Sequence, residues 1–408
     1  VRRNREECAA LDAADPLAAM RQEFTLPEGV LYLDGNSLGA LPSGTPARVA
    51  RMIEHEWGHG LIRSWNDAGW YGLPARLGDR LAPMLGAAPG QVVVCDSTSV
   101  NLFKVLGAAL RLRPGRRTVL AERVAFPTDL YITEGVTSLF DGARSVLLPS
   151  AADLDAHLGE DVAAVVLSHV DYRTGELLDM AAVTERVHRA GALMIWDVCH
   201  TAGALPISFD DCDVDFAVGC GYKYLNGGPG APAFLYAAER HQGEARQPLS
   251  GWFGHARPFA FEPGYEPTGG IRRFLTGTPP LLGMAALDAS LDVWEKVDLA
   301  AVRAKSLALT SLFMDLVEPL GLEVVTPRTE ELRGSQVAVR HEDGYAVVQA
   351  LIERGVIGDF RAPDLIRFGF TPLYLSYVDV WEAARHLREV LESGEWRDER
   401  FARRSDVT

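Results

Sequence analysis

The sequence predicts an α/β protein with a mostly parallel central sheet, helices on both its faces, and a smaller α/β domain toward the C-terminus. Three observations carry this expectation. From about residue 91, short apolar, β-branched runs alternate with amphipathic segments, as happens when crossover helices join parallel strands. Several runs are apolar at consecutive rather than alternate positions, the mark of strands covered on both faces. At 408 residues the chain also exceeds one ordinary core and fits two domains.

The elements follow in order. QVVVCD at 91–96 reads as a strand, and SVNLFKVLGAALRL after it has apolar residues at helical spacing, opening after Ser97, Thr98 and Ser99 and ending near Pro114 and Gly115. RTVLAE, RSVLLP, AAVVLSHV, ALMIWDV, FAVGC and AFLYA supply further strands. After a helical stretch from about Pro280 to Val297, the texture becomes helix, strand, helix, strand, with SQVAVR, YAVVQALIERG, IRFGF and the amphipathic DVWEAARHLREVLES. The last dozen residues, charged and poor in apolar groups, are expected to fray.

Composition limits the function. With 48% hydrophobic and 23% charged residues the chain is a folded protein, not a disordered one. Its net charge of -15 repels phosphate backbones and anionic lipid, which argues against nucleic-acid and membrane partners, although a local basic pocket remains open. The N-terminal VRRNREECAALDAADPLAAM has no apolar stretch of signal-peptide length, and no run approaches a membrane span, so the cytoplasm is the expected compartment. Five cysteines, Cys8, Cys95, Cys199, Cys212 and Cys220, form no metal-ligand spacing and read as reduced core thiols.

The chemistry gathers at strand ends, where open α/β sheets bind ligands. Asp197 follows the apolar run ALMIW, a costly place for an unpaired carboxylate. A pyridinium nitrogen would be a suitable partner, with His200 stacking on or bonding around the same ring; taken alone, Asp197 reads equally as a cap. Lys223, in GCGYKYLNGGPG, lies between an apolar strand and a Gly-rich turn, where partial desolvation makes a lysine a usable nucleophile and base. Tyr222 beside it offers a phenol. Alone, such a lysine is usually solvated; paired with an upstream strand-end Asp it is uncommon. The hydroxyls and free N–H groups of Ser97, Thr98 and Ser99 at a helix start suit a phosphate dianion. Phe126, in FPTD, offers an aromatic face, and Asp129 a second acid. Together these residues fit pyridoxal 5'-phosphate (PLP) held on Lys223.

In order along the chain, YLDGNSLGALP, STSVNLFK, FPTD, DVCH, GYKYLNGGPG, GWFGH and FLTGTPP resemble the segments of the kynureninase family, PLP enzymes of the aspartate-aminotransferase-like fold type I. That resemblance implies an N-terminal arm over residues 1–44 packing with the small domain, a large PLP-binding domain over 45–290 and a small domain over 291–408. It implies that Thr98 and Ser99 bind phosphate, that Phe126 stacks on the ring, that Asp129 and Asp197 lie near its nitrogen, and that His200 and Tyr222 contact the cofactor. Lys223 becomes the covalent anchor and the Cα base, with Tyr222 moving protons in later steps. Trp252 and Thr278 would reach the phosphate of a neighbouring subunit, making a homodimer with shared sites. Arg367 would bind the substrate α-carboxylate, a bidentate task suited to a guanidinium.

The implied reaction is hydrolysis of the Cβ–Cγ bond of L-kynurenine to anthranilate and L-alanine. The resemblance implies that Trp65, Gly277 and Thr278 stand around the aryl group in place of the His, Ser and Asn of forms preferring the 3-hydroxylated substrate, a pattern that resembles the bacterial type. Turnover of 3-hydroxykynurenine or another ring-substituted analogue remains an alternative. A cysteine desulfurase-like activity would need a nucleophilic thiol late in the chain, and no cysteine follows Cys220. A PLP-binding sensor would need a partner module, and no basic helix-turn-helix-like segment precedes residue 90.

Overall fold

A computed structural model describes residues 3–404. All seven strands read from the large-domain sequence are present and form one sheet. Their spatial order is Val92–Val94, Phe234–Ala237, Phe216–Gly219, Leu193–Asp197, Val162–Ser168, Thr118–Glu122 and Arg144–Leu148. Phe234–Ala237 runs antiparallel to both its neighbours, and the remaining pairings are parallel. Side chains alternate between faces with period two. Val165, Leu167, Met194 and Trp196 therefore enter one apolar cluster with Met180, Val183 and Val187 of the helix Met180–Arg189. Ala164, Val166, Leu193 and Ile195 enter a second cluster with Leu102, Val105 and Leu106 of the helix Thr98–Leu112. Both faces are covered, which is why these strands are apolar at consecutive positions.

The C-terminal part is a four-stranded antiparallel sheet, ordered Glu323–Val324, Gln336–Arg340, Leu365–Gly369, Asp359–Arg361, with the helices Leu299–Val317, Gly344–Glu353 and Tyr377–Ser393. The last helix starts in a capping box: Asp379 N–H donates to Ser376 Oγ (3.0 Å) and Ser376 N–H to the Asp379 carboxylate (2.9 Å). It stops at Gly394, where φ is 68°. Fraying of the last dozen residues is corrected for those described. Glu399–Ala402 is a helical turn capped by Asp398, and Phe401, 5% exposed, anchors it in the core.

The N-terminal residues bind this small domain to the sheet edge that carries the chemistry. The helix Arg5–Ala13 ends against the start of Tyr377–Ser393, where the Asp12 carboxylate accepts from Tyr377 N–H (2.6 Å) and Val378 N–H (3.1 Å), an acid at a helix N-terminus. Leu31–Tyr32 pairs in parallel with Val356–Ile357. Beyond it, Gly39 N–H donates to the Tyr222 carbonyl (2.8 Å), and a Cβ at Gly39 would lie 2.3 Å from the carbonyl oxygen of Lys223. Only glycine lets the chain pass so near the lysine.

At the opposite end of the sheet, buried Asp215 ties strands to helices. It accepts from His188 Nε2 (2.7 Å), His241 Nε2 (2.7 Å), Arg240 Nη2 (2.8 Å) and Met194 N–H (2.7 Å). Burial alone would raise its pKa, but the hydrogen bonds from His188 and His241 outweigh it and hold the carboxyl below the ordinary range. A depressed carboxyl contributes stability that is present above its unfolded pKa and is lost as pH falls through the folded value. Asp215→Asn should therefore lose about 3 to 5 kcal/mol near neutral pH, and the deficit should shrink as pH falls below about 4. Denaturant midpoints of both proteins at about pH 7 and about pH 3 check this; an equal deficit at both would contradict it.

Candidate active site

The sheet delivers its polar residues to one edge because each strand ends in a turn there. Leu193–Asp197 ends on Asp197, and Phe216–Gly219 leads through Cys220 to Lys223. Val92–Val94 leads to Ser97, whose hydroxyl caps Thr98–Leu112 by accepting from Val100 N–H (3.3 Å). Thr118–Glu122 leads to Phe126 and the helix Pro127–Thr137, and Val162–Ser168 to Tyr172. Asp96, before the cap, has φ of 46° and is held by an ion pair from wholly buried Lys104, which also donates to the Phe274 carbonyl (2.6 Å). Lys104 thus fixes the turn that opens the helix.

These turns enclose a cavity of about 240 Å³ lined by Thr98, Ser99, Phe126, Asp129, Asp197, His200, Tyr222 and Lys223, eight of the residues singled out from sequence. Lys223 Nζ lies 2.9 Å from His200 Nε2, and His200 Nδ1 lies 3.1 Å from Gln336 Oε1. The amide oxygen can only accept, so Nδ1 carries the imidazole proton and Nε2 accepts from Lys223. Burial first, then the positive charges of Lys223, Arg367 and Arg361, push the His200 pKa well below its ordinary value. The ring is neutral, in agreement with that tautomer.

Asp197 and Asp129 face each other. Asp197 accepts from Cys199 N–H (2.7 Å). Burial, followed by the neighbouring negative charge of Asp197, pushes the Asp129 pKa well above the ordinary range. Asp129 therefore favours its protonated form. Burial and surrounding acidic groups likewise push the Tyr222 phenol upward, so it is a proton donor at neutral pH.

The donor set fits PLP. A buried oxygen, Asp129 Oδ2, has no hydrogen-bond partner, and an orphaned carboxyl oxygen in a cavity that Asp197 also lines suits a protonated ring nitrogen. The N–H groups of Thr98 and Ser99 have no acceptor within their helix and suit a phosphate. Phe126 is 45% exposed and stands edge-on to Tyr172, with centroids 5.3 Å apart, leaving a face for a planar ring.

Trp65, Trp252, Gly277, Thr278 and Arg367 do not line this cavity. Trp65 and Trp252 meet edge to face with centroids 6.0 Å apart in a separate aromatic group, and Trp252, Gly277 and Thr278 are exposed. Arg367 is buried, ion-paired to Asp359 (Nε to Oδ1, 2.8 Å), and donates to Ser37 Oγ (2.9 Å) and to the Tyr172 carbonyl. Sequence reasoning missed Tyr172 and Gln336. Tyr172 lies just past a strand end like the other site residues, and Gln336 is a polar residue inside the apolar run SQVAVR. Gln336 also donates to the Tyr172 carbonyl (2.9 Å), so it joins the small domain to the site.

Comparison with known proteins agrees with this architecture. A family model described as "Kynureninase C-terminal domain" matches residues 302–387. Among solved structures, the cystine C-S lyase C-DES superposes with a TM-score of 0.76 at 22% identity, covering 89% of this chain and 97% of that one. A cysteine desulfurase from Thermococcus onnurineus superposes with a TM-score of 0.79 at 17% identity, covering 92% and 98%. At these identities the likeness establishes the fold, that of the PLP enzymes of fold type I. The curated relatives are much nearer. A kynureninase of Burkholderia pseudomallei is 52% identical over the full length of both chains, and one of Pseudomonas fluorescens is 51% identical over 99% of each. With that identity over its whole length, the chain belongs to the kynureninase family.

Proposed function

We propose that the chain is a PLP-dependent hydrolase that cleaves the Cβ–Cγ bond of L-kynurenine to give anthranilate and L-alanine. The observation that carries this reading is one cavity in which Lys223, His200 and the carboxyl groups of Asp129 and Asp197 converge, in a chain of this family. Bound PLP would supply the electron sink for negative charge at the substrate Cα. Asp197 and Asp129 would hold the ring nitrogen, Thr98 and Ser99 the phosphate, and Phe126 the ring face.

Lys223, once released from covalent duty, takes the Cα proton on Nζ, and His200 Nε2 orients that amine through the 2.9 Å contact. The Tyr222 phenol, kept protonated, is placed to give and recover a proton as the γ-carbonyl is hydrated and the carbon-carbon bond breaks. Arg367 belongs to the substrate α-carboxylate site. Trp65, Gly277 and Thr278 bear on ring selectivity, favouring unsubstituted kynurenine. The exposure of Trp252 and Thr278 supports a homodimer in which they reach the partner's phosphate site. We divide the chain into the arm 1–44, the large domain 45–290 and the small domain 291–408. A cytoplasmic location is part of the same proposal; among the described residues no helix is long and apolar enough to cross a membrane.

Lys223→Ala should abolish the absorbance of lysine-bound PLP and cut turnover by about a thousandfold or more, read as anthranilate fluorescence on mixing with L-kynurenine. Retained turnover in that variant would overturn the assignment. Across substrates, kcat/KM should favour L-kynurenine over 3-hydroxykynurenine by roughly tenfold; the reverse order would move the reading to the hydroxylated substrate.

A further inference from the structure

A second cavity, of about 630 Å³, opens where the turn 245–250 meets Tyr265, Glu266 and Arg273. That volume falls in the range of small-ligand pockets, roughly 300–1,000 Å³. It lies apart from the cavity of Lys223. Thr98, at the start of the 15-residue helix Thr98–Leu112, lines the first cavity, and Arg111, in its last turn, lines the second, so a helix about 20 Å long runs between them.

The guanidiniums of Arg111, Arg246 and Arg273 line this second cavity with a single acid, Glu266. In a chain of net charge -15 a cationic cavity stands out. Glu266 leans toward Arg257 (3.7 Å), and among the described residues no carboxylate pairs with any of the three lining arginines. Arg273 is 6% exposed: Nη1 donates to the Ala245 carbonyl (3.0 Å) and Nη2 to the Thr268 carbonyl (3.3 Å), while its buried Nε has no partner. Arg111 Nη1 donates to the next carbonyl of the turn, that of Arg246 (3.0 Å). Two guanidiniums thus grip successive carbonyls, which are neutral acceptors and leave the charges unmatched. Burial, then the positive charge of Arg246, push the Arg273 pKa downward, as expected of a buried cation with no counterion. Such a cation is costly until an anion meets it.

We propose that this cavity is a binding site for a phosphate-type dianion, held by Arg111, Arg246 and Arg273. Three cations facing one carboxylate leave two positive charges uncompensated, the complement of a phosphate dianion. Planar guanidiniums meet phosphate oxygens with paired N–H bonds, and beyond its two carbonyl bonds Arg273 keeps Nε–H and one N–H on each Nη. Ser250 adds a hydroxyl to the lining. Tyr265, whose own hydroxyl donates to the Gly254 carbonyl (3.1 Å), offers its ring to the organic part of a phosphate monoester. The assignment does not depend on which reaction the Lys223 cavity performs.

The test uses the holoenzyme, whose cofactor site is already filled by PLP. It is titrated calorimetrically with inorganic phosphate and with phenyl phosphate, in a buffer free of other polyvalent anions. The unaltered protein should take up a single anion per chain. The double variant Arg111→Ala, Arg246→Ala, which changes only exposed side chains, should bind either probe about a hundredfold more weakly while keeping the absorbance of lysine-bound PLP. Arg273→Lys, keeping the charge but not the fork, should fall between. Tighter binding of phenyl phosphate would assign the site to an organic monoester, and equal affinity for the two probes to free phosphate. No uptake by the unaltered holoenzyme, or uptake that the double substitution leaves unchanged, would overturn the proposal.

Discussion

Two carboxyl groups buried against each other at the end of a sheet are the constraint on which the site is built. Burial and the facing negative charge of Asp197 both disfavour ionisation of Asp129, in a medium that screens poorly. Asp129 therefore favours its protonated form. That arrangement is stable enough to fold, yet it leaves a buried oxygen without a partner. A cationic ring nitrogen answers both deficits at once. The rest of the site fits the proposed ring: a helix start suited to a phosphate, an aromatic suited to a ring face, and a lysine whose hydrogen-bond partner, His200, has its pKa pushed down by burial and surrounding positive charge.

Much of this was legible in the residues. The large-domain strands show as apolar runs because both faces of the sheet are buried, and a charge at the end of such a run, as at Asp197, stands out against it. Lys223 and the Ser97–Ser99 cluster stand out for the same reason. The short strands Glu323–Val324 and Asp359–Arg361 do not, being only two and three residues long and partly charged. What stayed hidden is mostly what arrives from far along the chain. Gln336 meets His200 across 136 positions, and nothing local to either residue records the meeting. Arg367 was legible as an arginine, but its commitment to Asp359 was not, because cross-strand register decides it.

The N-terminal residues share in this long-range assembly. Ser37 touches both Asp359 and Arg367, and Gly39 lies against the backbone of Tyr222 and Lys223. N-terminal residues, C-terminal sheet and the edge of the large sheet thus meet beside Lys223 and Arg367. The aromatic group of Trp65 and Trp252 lies apart from this junction.

The claim that organises all of this is that the acidic pair exists to keep a ring nitrogen protonated. The direct measurement is the ¹⁵N resonance of PLP labelled at the pyridine nitrogen and bound to the enzyme, followed from neutral to alkaline pH. The account predicts a protonated nitrogen throughout in the unaltered enzyme, lost when Asp197 is replaced by Asn. A nitrogen that is unprotonated at neutral pH, or one unaffected by Asp197→Asn, would contradict it.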